Sequence, residues 1–451
     1  MKGANRGQGG RSMDRARLPC QRMYYPLTFL IHFNYKFYMG KVLARSINRA
    51  TGYLETHTIP SGMEHAMSRQ GIANSHMTKR EFLKTCGASF CALCAPYLFA
   101  FPQTSQAQMA KKGLIKTKPS PYYTPLTGGD IQCELCPRRC RISPGNRGFC
   151  RVRENREGTC YSLVCGNPCV IHLDPIEKEP FFHVLPGSKS LTVSTSGCSF
   201  RCKFCENWEI SQAFPEDVYS YDVPPETMVK RAVQMGARSI AYTYAEPTVF
   251  LEYILDVSSH ANKAGILNVI HSNGFINPAP LRDLCGVLDA AHIDLKGFAE
   301  TFYQDLCSGN LAPVLNTMKA LREETIHLEI TNLVIPSKND DMATLREMFL
   351  WIKAELGADT PLHLSRFYPR HKLKKLPSTP ISTLEKAREA ALSCGLEYVY
   401  IGKVPGHEGW NTYCPQCGNM IIQRTGYMIG EMYITEGRCA YCGNPVPGIW
   451  A

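Results

Sequence analysis

From residue 189 onward the chain alternates two textures. Short apolar runs are separated by longer stretches whose apolar positions recur every three or four residues. SLTVSTS, SIAYTYAE, ILNVIHSNG, AAHIDLKG, HLEITNLVIP, PLHLSRFYP and EYVYIGKV read as strands. Between two of them, 341–356 places Met342, Leu345, Phe349, Ile352 and Leu356 on one helical face. Residues 225–235 do the same with Met228, Val229, Ala232 and Val233, behind a Pro-Pro start. Regular strand–helix alternation predicts an α/β fold, a parallel sheet covered by helices. Six or seven units suit a partial or complete (β/α) TIM-type barrel, so a barrel domain is expected over 189–410.

The flanks differ. Residues 131–188 show few periodic runs and many cysteines, an N-terminal Cys-rich module. Residues 411–451 carry two CxxC pairs, a C-terminal zinc-ribbon-like module. Residues 113–130 read as a Lys-, Pro- and Gly-containing linker. Upstream, 77–112 has a basic start, an apolar run and then small polar residues, the layout of an export signal. Its KREFLK resembles a twin-arginine motif with Lys79 in place of the first arginine. Residues 1–76 have no sustained period, and their apolar stretch is broken by Pro26, His32, Asn34 and Lys36. They read as a disordered or non-native extension, with Met77 as the true start. No transmembrane segment is expected beyond the signal-like one.

Composition changes the picture in two places. The net charge is +11, yet residues 1–76 hold eleven Lys/Arg against three Asp/Glu, so little excess remains for the folded part. That leaves no strong nucleic-acid signal. The 21 cysteines fall in close groups within a large chain, which points to metal or cluster ligands rather than disulfides.

The first predicted strand ends in TSGCSFRCKFCENWEI, with Cys198, Cys202 and Cys205 spaced C-x3-C-x2-C. Three thiolates in one loop can hold three corners of a [4Fe–4S] cluster and leave one iron open. Structural zinc wants four ligands. The loop also lies where barrel active sites lie, at the C-terminal end of a strand.

This motif, C-x3-C-x-aromatic-C with Phe204 as the aromatic, resembles the radical S-adenosylmethionine (radical SAM) signature. The resemblance implies a [4Fe–4S] cluster and S-adenosylmethionine as cofactors. It implies that Glu246, in YTYAEPT, pairs the methionine amino group, although the family's glycines before that glutamate are absent here. It further implies that Asn273 and Arg366 help bind the cofactor, and that Asp294 and Lys296, in IDLKGF, position S-adenosylmethionine or substrate, Lys296 facing its carboxylate. CELCPRRCRISPGNRGFC, DPIEKEPFFHVLPGS, CSFRCKFCENWEIS and VPGHEGWNTYCPQCG together are similar to the AmmeMemoRadiSam system radical SAM enzyme, a relative of the pyruvate formate-lyase activating enzymes. That likeness spans about 131–451. It implies a low-potential electron donor, with Memo-like and AMMECR-like proteins as partners. The substrate is left open. A glycyl-radical activase and an RNA- or protein-modifying radical enzyme are the alternatives. Supplies of cofactor and reductant favour the cytoplasm, while the signal-like segment would permit export.

Two further cysteine sets remain. Cys133, Cys136, Cys140 and Cys150 give C-x2-C-x3-C-x9-C, suited to zinc or an auxiliary iron–sulfur cluster. Cys414, Cys417, Cys439 and Cys442 form two knuckles, expected to bind structural zinc. Cys160, Cys165, Cys169, Cys285, Cys307 and Cys394 read as ordinary thiols, and His271 and His292 as core histidines.

Overall fold

Each of the seven apolar runs becomes a strand of one sheet. The computed structural model describes residues 109–451, so the expectations for 1–76 and for most of the signal-like segment lie outside the described residues. The sheet has eight strands. In chain order they are β1 (Val170–Pro175), β2 (Lys189–Ser194), β3 (Ser239–Tyr242), β4 (Leu267–Ser272), β5 (Ala290–Asp294), β6 (His327–Val334), β7 (Leu362–Arg366) and β8 (Val399–Gly402). Spatial order equals chain order, with β1 and β8 at the two edges. β2 to β8 are parallel, while β1 runs antiparallel to β2. This is a partial barrel with an open seam between β1 and β8.

Six helices of eight or more residues intervene: α1 (Pro225–Gln234), α2 (Leu251–Lys263), α3 (Pro278–Cys285), α4 (Leu311–Glu323), α5 (Met342–Leu356) and α6 (Ile381–Ser393). They explain why β3 to β5 are buried along nearly their whole length, since a parallel strand covered on both faces reads as a continuous apolar run. Asp341 caps α5, its carboxylate accepting from Thr344 N at 2.9 Å and Thr344 Oγ1 at 3.0 Å.

Residues 176–185 and the C-terminal module fill the seam. Phe182 and His183 donate their backbone N–H groups to Glu329 of β6, at 3.0 and 2.8 Å. Leu185 N donates to Ile449 O at 2.7 Å, and Ile449 N to His183 O at 2.8 Å. Arg424 donates to Phe182 O at 2.7 Å and lies over that ring at 4.3 Å. Phe182, Tyr398, Tyr400, Trp410, Ile421 and Val446 are buried together there, each worth about 1.5–3 kcal/mol of apolar burial.

Residues 118–162 form two small three-stranded antiparallel sheets. This segment docks on the rim of the barrel. Asn277 N donates to Leu135 O at 3.1 Å, and Asn277 Nδ2 to Glu134 O at 2.7 Å. Arg138 Nε donates to Ser199 O at 2.6 Å, and Arg138 Nη2 to Ser308 O.

Candidate active site

The C-terminal ends of the parallel strands open onto a cavity of about 310 Å³. The loop after β2 delivers Cys198, Cys202, Phe204 and Cys205 to its wall. β3 delivers Glu246, β4 Asn273, and β5 Asp294 and Lys296. Four strand ends or following loops therefore converge on one space, as the alternation predicts.

The cysteine loop is held from several sides. Arg201 N and Lys203 N donate to Cys307 O and Leu306 O at 2.9 and 2.8 Å. Lys203 O accepts from Lys372 N at 2.8 Å, and His371 stacks on Trp208 with centroids 5.1 Å apart. Polar groups point at the sulfurs: Phe200 N donates to Cys198 Sγ at 3.3 Å, Asn273 Nδ2 approaches the same atom at 3.8 Å, and Ser211 Oγ lies 3.3 Å from Cys205 Sγ. Burial pushes the Cys198 and Cys205 thiols up, so without a metal they stay protonated; iron binding would deprotonate them.

The three residues fit a cubane cluster. They share one cavity wall, yet their sulfurs do not gather within 4.8 Å of one another as a single ion would require. A cubane spreads its thiolates because each binds a different iron.

Glu246 is buried and its carboxylate is heavily used. Oε1 accepts from Thr248 N, Thr248 Oγ1 and Ser272 Oγ at 3.1, 2.8 and 2.6 Å, and Oε2 accepts from Asn273 N at 2.9 Å. It thus locks the turn after β4 and keeps one lone pair on Oε2 for a ligand. Asn273 Nδ2 donates to Ser199 Oγ at 3.0 Å, which ties that turn to the cysteine loop.

Asp294 accepts from Lys296 Nζ at 2.8 Å and is 2.9 Å from His271 Nε2. Burial opposes its charge, but Lys296 and His271 outweigh burial and hold its carboxyl well below the usual range. Burial likewise opposes the Lys296 charge, and Asp294 outweighs it, so the ammonium persists. Arg366 is not brought to the cavity: at the end of β7 its guanidinium turns to Thr379 O at 2.8 Å and Tyr368 Oη at 3.3 Å. One backbone carbonyl and a tyrosine hydroxyl capture it, which strand position alone does not reveal.

Sequence reasoning missed several neighbours. Cys307, read as an ordinary thiol, is buried beside Cys202 and helps push that thiol up. Thr248, Ser272 and Ser199 satisfy the polar site. Glu177, Glu179, Trp410 and Tyr427 also line the cavity, from the seam-filling segments.

A second buried group, His292, Glu329 and His363, also converges. Its carboxylate is already occupied by two backbone N–H groups and by His363 Nε2 at 2.7 Å, so it anchors the seam-filling segment rather than offering a vacant ligand set.

The radical SAM superfamily profile matches residues 192–349. An uncharacterized protein of Methanocaldococcus jannaschii, MJ0808, is 43% identical over 327 residues, covering 72% of this chain and 97% of that one. The pyruvate formate-lyase-activating enzyme of Listeria monocytogenes is 24% identical over 182 residues, covering 37% of this chain and 71% of that one. Streptococcus suis SuiB bound to S-adenosylmethionine superposes with a TM-score of 0.40 at 13% identity, covering 53% of this chain and 54% of that one. The chain belongs to the radical SAM superfamily, a superfamily of enzymes that use a [4Fe–4S] cluster and S-adenosylmethionine. It is distantly related to the pyruvate formate-lyase-activating enzymes. No helix among the described residues is long and apolar enough to cross a membrane.

Proposed function

We propose that this chain is an enzyme of the AmmeMemoRadiSam type that cleaves S-adenosylmethionine reductively and abstracts hydrogen from a substrate. Cys198, Cys202 and Cys205 hold the cluster, which when bound with S-adenosylmethionine and reduced supplies a 5′-deoxyadenosyl radical. The observation that supports this most is the meeting of three thiols, Glu246, Asn273 and the Lys296–Asp294 pair on one cavity wall.

The residues divide the labour. Glu246 offers its remaining lone pair to the cofactor's ammonium while positioning Asn273. Lys296, kept cationic by Asp294, faces a carboxylate. Phe204 packs beside Phe302, with centroids 6.0 Å apart, and excludes water behind the cysteine loop. Arg366 takes no direct part in this reading.

The module at 411–451 binds zinc through Cys414, Cys417, Cys439 and Cys442. In support, Cys414 and Cys442 sulfurs are 3.6 Å apart, Cys417 and Cys439 3.8 Å, and all four lie within 4.8 Å. Tetrahedral zinc with bonds of about 2.3 Å places its sulfurs about 3.8 Å apart. Its role is to close the seam of the barrel. Residues 113–130, expected as a linker, instead carry the strands Lys118–Pro119 and Tyr123–Pro125 of the N-terminal sheets, and the barrel sheet starts at Val170 rather than at 189. Memo-like and AMMECR-like proteins and a low-potential electron donor are the partners of the whole enzyme in this reading, in the cytoplasm.

A glycyl-radical activase is the second reading, favoured by the relationship to the pyruvate formate-lyase-activating enzymes. The deciding experiment is anaerobic reconstitution with iron and sulfide, then reduction with S-adenosylmethionine present. Wild type is expected to release 5′-deoxyadenosine, and Cys198→Ala/Cys202→Ala/Cys205→Ala none. No product from a verified, reducible cluster, with the Memo-like and AMMECR-like proteins added, would defeat the reading.

A further inference from the structure

We propose that Cys133, Cys136, Cys140 and Cys150 hold a second [4Fe–4S] cluster, seated against the first, and not zinc. The four side chains line one small void, just large enough for a water molecule, together with Arg138, Arg153 and Ser199. The chain brings them there by two turns. Cys133 N donates to Cys140 O at 2.9 Å, closing a hairpin, and Gly148 packs against Cys140, where a β-carbon would stand 3.7 Å from its sulfur.

The contrast with the C-terminal knuckles separates cluster from ion. There, four sulfurs converge within 4.8 Å, the spacing one tetrahedral ion imposes. Among Cys133, Cys136, Cys140 and Cys150 no three sulfurs converge so closely. They ring a void instead, as thiolates do when each binds its own iron. Cys160 is a fifth thiol at this place. It is buried beside Cys133 but does not line the void, so it is a neighbour of a ligating sulfur rather than a ligand.

The surroundings suit a charged cluster. Arg153 is buried and paired with Glu252, and the guanidinium of Arg138 lies 3.6 Å over the Phe149 ring. Arg138, whose guanidinium donates to the carbonyls of Ser199 and Ser308, is a fixed cation beside the thiolates and can offset their charge, whereas Glu252 already neutralises Arg153. Arg138 also feels Cys198 as well as Cys136, Cys140 and Cys150. With its hydrogen bond to Ser199 O, this places the second site beside the cysteine loop of the first.

The test counts metals in the full chain after anaerobic reconstitution with iron and sulfide in the presence of zinc. Iron, acid-labile sulfide and zinc are measured, with electron paramagnetic resonance of the reduced protein. Cys198→Ala/Cys202→Ala/Cys205→Ala, which removes the first site, is expected to keep about four iron and four sulfide per chain. Adding Cys414→Ser to it should leave that iron in place. Cys160→Ser should also keep it, with a shifted resonance spectrum. Cys133→Ser/Cys136→Ser/Cys140→Ser/Cys150→Ser, if it folds, should fall from about eight iron to about four. Iron-free triple-variant protein, with zinc raised by one equivalent or with no added metal, would overturn the proposal, as would any other iron-to-sulfide stoichiometry. Because the triple variant lacks the first site altogether, its result is independent of the reading under "Proposed function".

Discussion

Gly197 lies directly on Cys150. A β-carbon at 197 would stand 2.8 Å from Cys150 O and 2.7 Å from Val152 Cγ1, and Gly197 has a φ of +98°. The two cysteine-bearing segments therefore meet at a residue that only glycine serves well. Gly197→Ala is expected to cost about 1–3 kcal/mol and to displace the loop that follows. Thermal unfolding and iron content after reconstitution would both drop. An unchanged iron content would show that the cysteine loop does not depend on its contact with the N-terminal segment.

Glu246 acts through Asn273 as well as on a ligand. In Glu246→Gln one carboxylate oxygen becomes an N–H donor. If the amide oxygen stays with Thr248 and Ser272, the new donor faces Asn273 N, which now donates to Oε2 at 2.9 Å. Two opposed buried donors cost about 1–3 kcal/mol. S-adenosylmethionine affinity, measured by calorimetry on reconstituted protein, should fall about tenfold or more while the iron content holds. Equal affinity would remove Glu246 from the binding site.

The seven parallel strands are legible because each is a short, largely buried run with apolar residues at least at alternate positions, and period and length then agree. β1 is not, since its VIHLDP alternates half-buried positions with exposed His172 and Pro175 at the sheet edge. The cysteine loop is legible because its ligands are contiguous. Asp294, Lys296 and Glu246 are legible as strand ends. Arg366 shares that placement, yet Thr379 O, thirteen residues on, claims its guanidinium. Cys307 is invisible to spacing, because it reaches Cys202 from the far end of β5's connection. Long-range pairing of single side chains leaves no local period to read.

Removing metal from the C-terminal knuckles should loosen the seam. Arg424, Trp410 and Val446 pack there against Phe182 and Tyr400. Their placement depends on a module with a small core of its own. Metal binding then supplies folding free energy. Cys414→Ser is expected to lose about one zinc and to lower the melting temperature by roughly 5 °C or more. A protein that lost zinc but melted as wild type would mean that the packing against the barrel holds the module unaided.

Acid should destabilise the fold well before the carboxylates titrate. Burial pushes His183 down to about 3 and holds His292 and His363 below the usual histidine value. His183 is neutral, with Nδ1 2.6 Å from Pro447 O and Nε2 2.6 Å from Tyr400 Oη. Burial would raise the Glu329 carboxyl, but bonds from His327 and His363 outweigh it and hold it well below 4.5. Arg424, nearby, adds to the pressure against protonating His183 and His363. Every one of these four folded values lies below its unfolded value, so the unfolded chain binds more protons. Their stability is therefore present near neutral pH and is lost as pH falls, first from the histidines below about 6.5 and then from Glu329 below about 4.5. Each group contributes at most about 1.4 kcal/mol per pH unit. Urea unfolding at pH 7, 6 and 5 should show the slope, and His183→Gln should lower it by about one proton's worth. A wild-type stability that is flat from pH 7 to 5 would mean that the histidines titrate in place, and that the seam admits water.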